Sequence, residues 1–323
     1  MTENKISDNP DSSTALFRVR RWWADLPGNT RGAIWILGAA IVFTAMTSLI
    51  KLAGQDLHVT QILLIRQVVM TGMVLPVIVR DFPGSLITRH PMLHVARVVL
   101  AATAMLCGFT AIIHLPLADA TAIGFAKAFF LTIFAILFLK ETVGIRRWAA
   151  TIVGFIGILV MVRPTGAESF NIYGLYAIAG AAAAGLVMTI IRKLSQVEAA
   201  TTILTYQAVF VGLIMLVPAI WYWQTPTFGD WMLLLAIGVV SYMAQYANIR
   251  AFREGEATAI ASLDYTRLLY ATLMGGILFA QWPDRNTILG AGIVIAAALY
   301  TVQREARLGR KLARASDGRG YSN

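Results

Sequence analysis

The sequence predicts an all-α integral membrane protein: ten transmembrane helices arranged as two inverted five-helix repeats. Three observations carry that prediction. The chain of 323 residues is 58% hydrophobic and only 14% charged, against about 25% charged in a soluble domain, so it cannot make a wetted surface large enough to cover its own core. Ten apolar stretches follow one another, each of about 20 residues and able to cross a hydrocarbon layer of about 30 Å at about 1.5 Å per residue. Finally, Ala118-Asp119-Ala120-Thr121-Ala122-Ile123 returns as Gly255-Glu256-Ala257-Thr258-Ala259-Ile260, at an offset of 137 residues.

Residues 1–31 are polar and mixed in charge and are expected as a basic cytosolic tail. Within it, Leu16 to Leu26 reads either as an amphipathic interfacial segment or as an unstructured stretch touching anionic lipid. The first span, 33–53, is too long for a secretory h-region and has no small-residue cleavage site after it, so it is expected as a retained helix. Spans at 60–79, 92–113, 117–139 and 146–163 complete a first half, 32–163. Spans at 172–191, 202–222, 231–249, 257–280 and 286–303 make a second half, 172–303, followed by a basic cytosolic tail, 304–323. Gly, Pro, Asp and Asn in the short connections end the helices and leave no room for a separate soluble domain.

Orientation follows from the basic residues. Leaving aside Lys5 in the far N-terminal tail, twenty of the 27 Lys and Arg fall in the two tails and in the connections on one side, against Lys51, Arg163 and Arg285 on the other. The richer side is the cytosolic one, so both termini are expected in the cytosol of a bacterial inner-membrane protein. The net charge of +10 is thereby assigned to topology and lipid and not to nucleic acid. Trp22, Trp23, Trp148, Trp221, Trp223 and Trp231 fall near span ends, as an aromatic belt requires.

At the same offset Phe109 falls against Tyr246, while Gly32 and Gly38 of the first span align with Gly174 and Gly180 of the sixth. An odd number of spans per half makes the second half enter the membrane from the opposite side. An inverted repeat of this kind is a transporter architecture, with binding near the midplane where the halves meet.

Over residues 31 to 303 the sequence resembles the drug/metabolite transporter superfamily, in its EamA-type ten-helix branch. The residues that carry the resemblance are the acidic-Ala-Thr-Ala motif opening the fourth and ninth spans, Lys140-Glu141, Gly154 and Gly157, and Asp264-Tyr265-Thr266-Arg267-Leu268. Members of that branch move metabolites across the bacterial inner membrane, by export or uptake. Many carry a Ser-Pro pair in the middle of the fourth span where this chain has Lys127-Ala128, which predicts a straighter helix with a cation at its midpoint.

A charge at the bilayer centre costs several kcal/mol and normally faces a partner or a watery cavity. Lys127 and Arg267 both fall about 15 Å from a membrane face at about 1.5 Å per residue, close to the midplane. Asp264 and Arg267, at i and i+3, share a helix face, and Lys127 corresponds to Asp264 at the offset of 137. These three residues read either as a substrate or coupling-ion site or as a buried ion network that fixes helix packing. Arg66, about 10 Å from the outer face, either lines the site or snorkels to the interface. Gln67, Tyr242, Gln245 and Tyr265 are candidates to line a polar path with it, as are Gln207, Tyr246 and Tyr270; each is equally a candidate helix-to-helix hydrogen-bonding group. Asp119 and Glu256 are expected to complement helix N-termini.

Cys107 is the single cysteine, so neither a disulfide framework nor a thiolate metal site can be built. His90 and His94 share a helix face without a third ligand, and no metal or other cofactor is expected. No Walker loop, HExxH, Gly-x-Ser-x-Gly or paired carboxylate is present, which argues against an ATPase or an intramembrane hydrolase. The expected function is a secondary transporter, not an enzyme, moving a small anionic or zwitterionic metabolite by alternating access. Its partners are that small molecule and the lipid bilayer, with proton coupling through Asp264 left open, as are the direction of transport and the oligomeric state. The alternatives are a lipid or amphiphile translocase of the same fold and a membrane-embedded transferase.

Overall fold

The structure is a computed structural model that describes residues 23, 26–80, 82–84, 87–139, 145–162, 172–194, 197–198, 200–254, 263–297, 299–300 and 303. Among these residues every regular element is helical. The helices are α1 (Gly28–Ala53), α2 (Val59–Arg80), α3 (Pro91–His114), α4 (Leu117–Gly124), α5 (Lys127–Leu139), α6 (Ile145–Val162), α7 (Ile172–Leu194), α8 (Ala200–Trp221), α9 (Phe228–Glu254), α10 (Arg267–Phe279) and α11 (Arg285–Ala297). Residues 1–22, 24–25 and 304–323 of the two tails, Lys140-Glu141, Arg163 and the segment 255–262 with Glu256 lie outside the described residues.

Local sequence fixes several of these boundaries. Pro91 stands at the first turn of α3, where its missing N–H costs nothing. At the start of α9, Asp230 Oδ2 accepts from the Thr227 N–H and hydroxyl at 2.8 Å each, a reciprocal cap. The Thr287 N–H donates to Asp284 Oδ1 at 2.8 Å at the start of α11. Asp119 lies in the first turn of α4, where an acid complements the macrodipole.

Among the described residues six stretches are long and apolar enough to cross a membrane, Gly28–Ala53, Leu117–Phe134 and Phe228–Ala251 among them. Thr205–Trp221, Arg267–Phe279 and Arg285–Ala297 are apolar but shorter. Large apolar side chains stand exposed on their outer faces, Val217, Leu269 and Ile277 among them. In water such a surface would be untenable, and lipid is the solvent that suits it. Trp221, 83% exposed, and Trp282 stand at helix ends, where an interfacial ring belongs.

The most extensive contacts are α1 against α9 and α3 against α7, and α2 packs on α8. The α3–α7 crossing is close because a Cβ on Gly180 would stand 2.9 Å from the Gly108 backbone nitrogen. Small residues let backbones approach, and dispersion then holds them where no hydrophobic drive exists between helices in lipid.

Two expectations are corrected. The fourth span is not straighter for lacking proline: it breaks at Phe125-Ala126, between α4 and α5. The Phe125 N–H donates to Ala122 O at 3.1 Å and the Ala126 N–H to Ile123 O at 2.9 Å, so tight i to i−3 bonding ends α4 without any help from proline. Lys127 and Arg267 are each the first residue of a 13-residue segment that follows a break. Lys51 and Arg97, counted with the charges of the loops, are buried inside α1 and α3 at 4% and 2% exposure.

Candidate functional site

The site is built where the two helix breaks meet. In the second half, Leu263 and Asp264 end a helical turn, Tyr265 and Thr266 form the break, and α10 restarts at Arg267. The Tyr265 ring lies 4.6 Å from the Phe125 ring, so the two breaks face each other directly. From this junction α5 and α10 start with Lys127 and Arg267 as their first residues. A cation at a helix N-terminus is the wrong sign for the macrodipole. These two residues therefore raise the positive potential of the junction instead of neutralising it.

Both cations line one chamber of about 250 Å³, with Thr47 and Phe43 of α1, Thr121 of α4 and Gly180 of α7. The Arg267 Nη2 donates to Asp264 Oδ1 at 2.5 Å, and the guanidinium lies 3.8 Å from the centre of the Phe43 ring. One carboxylate thus answers one guanidinium, and the face of that guanidinium is covered by an aromatic ring. Lys127 feels the charges of both Asp264 and Arg267 but makes no hydrogen bond or ion pair with any described residue.

A second chamber, of about 390 Å³, holds Arg66, Gln67, Gln207, Tyr242 and Gln245. Arg66 Nε donates to the Ser241 hydroxyl at 2.8 Å and Nη1 to Gln67 Oε1 at 3.4 Å, and its guanidinium lies 5.5 Å from the Phe109 ring centre. Arg66 therefore turns inward, toward α9, instead of snorkelling. Gln67 is tied to α8 through its amide, which donates to Gln207 O at 3.2 Å and Ala208 O at 3.1 Å. Phe43, Met105 and Phe109 line both chambers and form a shared wall between them.

The eight candidates from the sequence are thus distributed. Lys127 and Arg267 share the first chamber, with Asp264 bonded to Arg267, while Arg66, Gln67, Tyr242 and Gln245 share the second. Tyr265 packs on Phe125 at the junction and lines neither chamber. Phe43 and Phe109 were missed because a phenylalanine in an apolar run carries no signal of its own.

Arg97 was missed too, although it falls inside the span 92–113. Its Nη1 donates to Ile203 O at 2.8 Å and its Nη2 to Gln207 Oε1 at 2.5 Å, pinning α3 to α8 beside the second chamber. His94, one turn earlier, is fully buried against Tyr206 at 4.2 Å between ring centres. Lys51 is a structural cap: its Nζ donates to the carbonyls of Ile112, Ile113 and Leu115 at 3.1, 3.0 and 2.6 Å, at the end of α3. Among the described residues no group of His, Cys, Asp and Glu is placed to hold a metal ion.

Outside the spans, Glu198 ties two connections together. Its Oε1 accepts from the Thr88 hydroxyl at 2.7 Å and the Arg89 N–H at 3.1 Å. Chiefly the Thr88 hydroxyl, then the Arg89 amide, holds this carboxyl below its ordinary value.

Comparison with known proteins follows the same outline. The EamA-like transporter family matches the chain twice, at residues 30–163 and 171–303. An S-adenosylmethionine uptake transporter of Rickettsia bellii is 29% identical over 85% of this chain and 94% of its own length. The pseudopaline exporter CntI of Pseudomonas aeruginosa is 30% identical over 83% of this chain and 94% of its own. A riboflavin transporter of Vibrio cholerae is 28% identical over 87% and 96%. A protein of known crystal structure, 13% identical, superposes with a TM-score of 0.61 over 87% of this chain and 99% of its own, a likeness of fold alone.

Proposed function

This chain belongs to the EamA-like transporter family, and from that premise we propose that it carries a small anionic or zwitterionic metabolite across the bacterial inner membrane by alternating access. It is a multi-pass membrane transporter and not an enzyme. The observation that carries the choice of substrate is the pair of helix restarts at Lys127 and Arg267, both lining one chamber, with one carboxylate among the described residues, Asp264, bonded to Arg267. Excess positive charge in a low-dielectric pocket is costly, and a carboxylate or phosphate on the substrate offsets it. Two half-helix N-termini add their dipoles in the same sense. Asp264 orients Arg267 or accepts a substrate amine, and proton coupling through it is part of the same proposal.

The architecture proposed is ten spans in two inverted halves, 32–163 and 172–303, with both termini cytosolic. Supporting it are the equivalent pairings α1–α9 and α3–α7, the self-pairing of α2 with α8, and a break in each half at the site. Alternating access then consists of one half rocking against the other about the Phe125–Tyr265 junction.

The test is counterflow into proteoliposomes containing the full chain, with labelled carboxylates, phosphates, zwitterions and hydrophobic cations compared side by side. Exchange of anions or zwitterions that is lost in Lys127→Met supports the proposal. Preference for a hydrophobic cation, or exchange of lipid instead of soluble metabolites, overturns it.

A further inference from the structure

The positive excess of the site is not one patch. Among the described residues, pairing Arg267 with Asp264 leaves Lys127 as the uncompensated cation of the first chamber, and Arg66 is the uncompensated cation of the second. Arg66 makes no ion pair with any described residue, and no described Asp or Glu lines its chamber. The chambers touch across Phe43, Met105 and Phe109.

Each arginine leans on this wall, Arg267 against Phe43 at 3.8 Å and Arg66 against Phe109 at 5.5 Å. Stacking uses the face of a guanidinium, and among the described residues it leaves Nη1 of Arg267 and Nη2 of Arg66 without a partner and able to donate to an anion. The wall itself is apolar and offers no counter-charge to an anion or a cation.

From this partition we infer that the substrate carries two anionic groups separated by an apolar middle, one held at Lys127 and the edge of Arg267, the other at Arg66, with the middle lying along Phe43, Met105 and Phe109. This rests on the anion-transport reading above and narrows it. A monoanion would leave one chamber with a buried, unanswered cation. For the amine of a simple zwitterion, the one described carboxylate beside the first chamber, Asp264, is already bonded to Arg267, and no described carboxylate lines the second. A doubly anionic substrate answers both cations at once, and its apolar middle covers the aromatic wall.

The experiment uses the full chain in lipid nanodiscs. Linear α,ω-dicarboxylates from succinate to suberate are each compared with their own monoamide, by ligand-dependent thermal stabilisation and by counterflow. At one chain length the diacid is expected to bind roughly tenfold tighter than its monoamide, the gain of one charge-assisted contact. The length at which this gain peaks reports the separation of the two cations. Arg66→Gln should bring the diacid-to-monoamide ratio back toward one, and Arg66→Lys, which keeps the charge, should retain part of it.

Equal binding of diacid and monoamide at every length overturns the two-anion inference while leaving anion transport standing. If neither binds and the labelled carboxylates and phosphates also fail to exchange, the anion reading falls and this inference falls with it. A preference for the diacid that survives Arg66→Gln unchanged overturns the assignment of the second anion to Arg66.

Discussion

Phe125 and Tyr265 face each other at 4.6 Å between ring centres, each sitting at the point where a membrane helix breaks. Their contact sets two half-helix N-termini, and the cations Lys127 and Arg267 that begin them, against one chamber. Removing one ring therefore disturbs both breaks. Tyr265→Ala should lower the apparent melting temperature, by about 3 kcal/mol of stability for the loss of a large packed aromatic, and should impair transport of every substrate alike. A change in selectivity without loss of stability would contradict a packing role.

Lys127 has no partner among the described residues. Lys127→Met should therefore leave the apparent melting temperature unchanged or raise it, because it removes an unanswered charge. Transport should fall roughly 100-fold, the loss of a charged contact to the substrate. Thermal unfolding in nanodiscs together with counterflow separates the two effects, and normal transport would make the cation structural.

Arg267 and Asp264 should behave as a unit. Arg267→Ala leaves a carboxylate alone in the membrane and is expected to cost about 3 to 5 kcal/mol. Adding Asp264→Asn to it should recover a substantial part of that loss. A double-mutant cycle in unfolding measurements reads the coupling directly, and simple additivity would mean that the 2.5 Å bond carries no energy. Asp264→Asn alone should weaken transport or change its pH dependence.

Lys51 should matter for stability and not for selectivity. Lys51→Met leaves the carbonyls of Ile112, Ile113 and Leu115 without their donor, at a cost of about 3 kcal/mol. Ranking of substrates in counterflow should be unchanged, since Lys51 lines neither chamber.

The tie from Glu198 to Thr88 and Arg89 should be sensitive to acid. The folded-state carboxyl titrates below its ordinary value near 4.5, so the tie contributes above that value and is lost as pH falls through the lower folded one. Amide protection factors at Arg89 and His90 should drop as pH is taken from neutral to well below 4.5, and Glu198→Ala should lack this drop because its protection is already low. Unchanged protection in the native chain would refute the assignment.

Orientation is tested by cysteine labelling, with residues 80–91, 140–147 and the C-terminus expected on the cytosolic side from the distribution of basic residues. A periplasmic C-terminus would refute the ten-span arrangement.

The sequence by itself determined that this chain lives in a membrane, because 58% hydrophobic residues and repeated apolar runs leave it no other solvent. It also marked Lys127, Asp264, Arg267 and Arg66 as the charges to explain, since an ionisable group deep in an apolar run stands out by composition alone. Local spacing was enough to pair Asp264 with Arg267. What local spacing could not supply was anything set by packing between distant segments. The break at Phe125-Ala126 has no proline to announce it, and only the facing helices show Tyr265 on the other side of it. Lys51 and Arg97 look like loop charges when counted along the chain, and become buried caps and pins only because α3 and α8 bring carbonyls to them. The division of one positive site into two chambers was likewise decided by tertiary structure. It depends on Phe43 and Phe109, ordinary apolar residues until the fold stands them between two arginines.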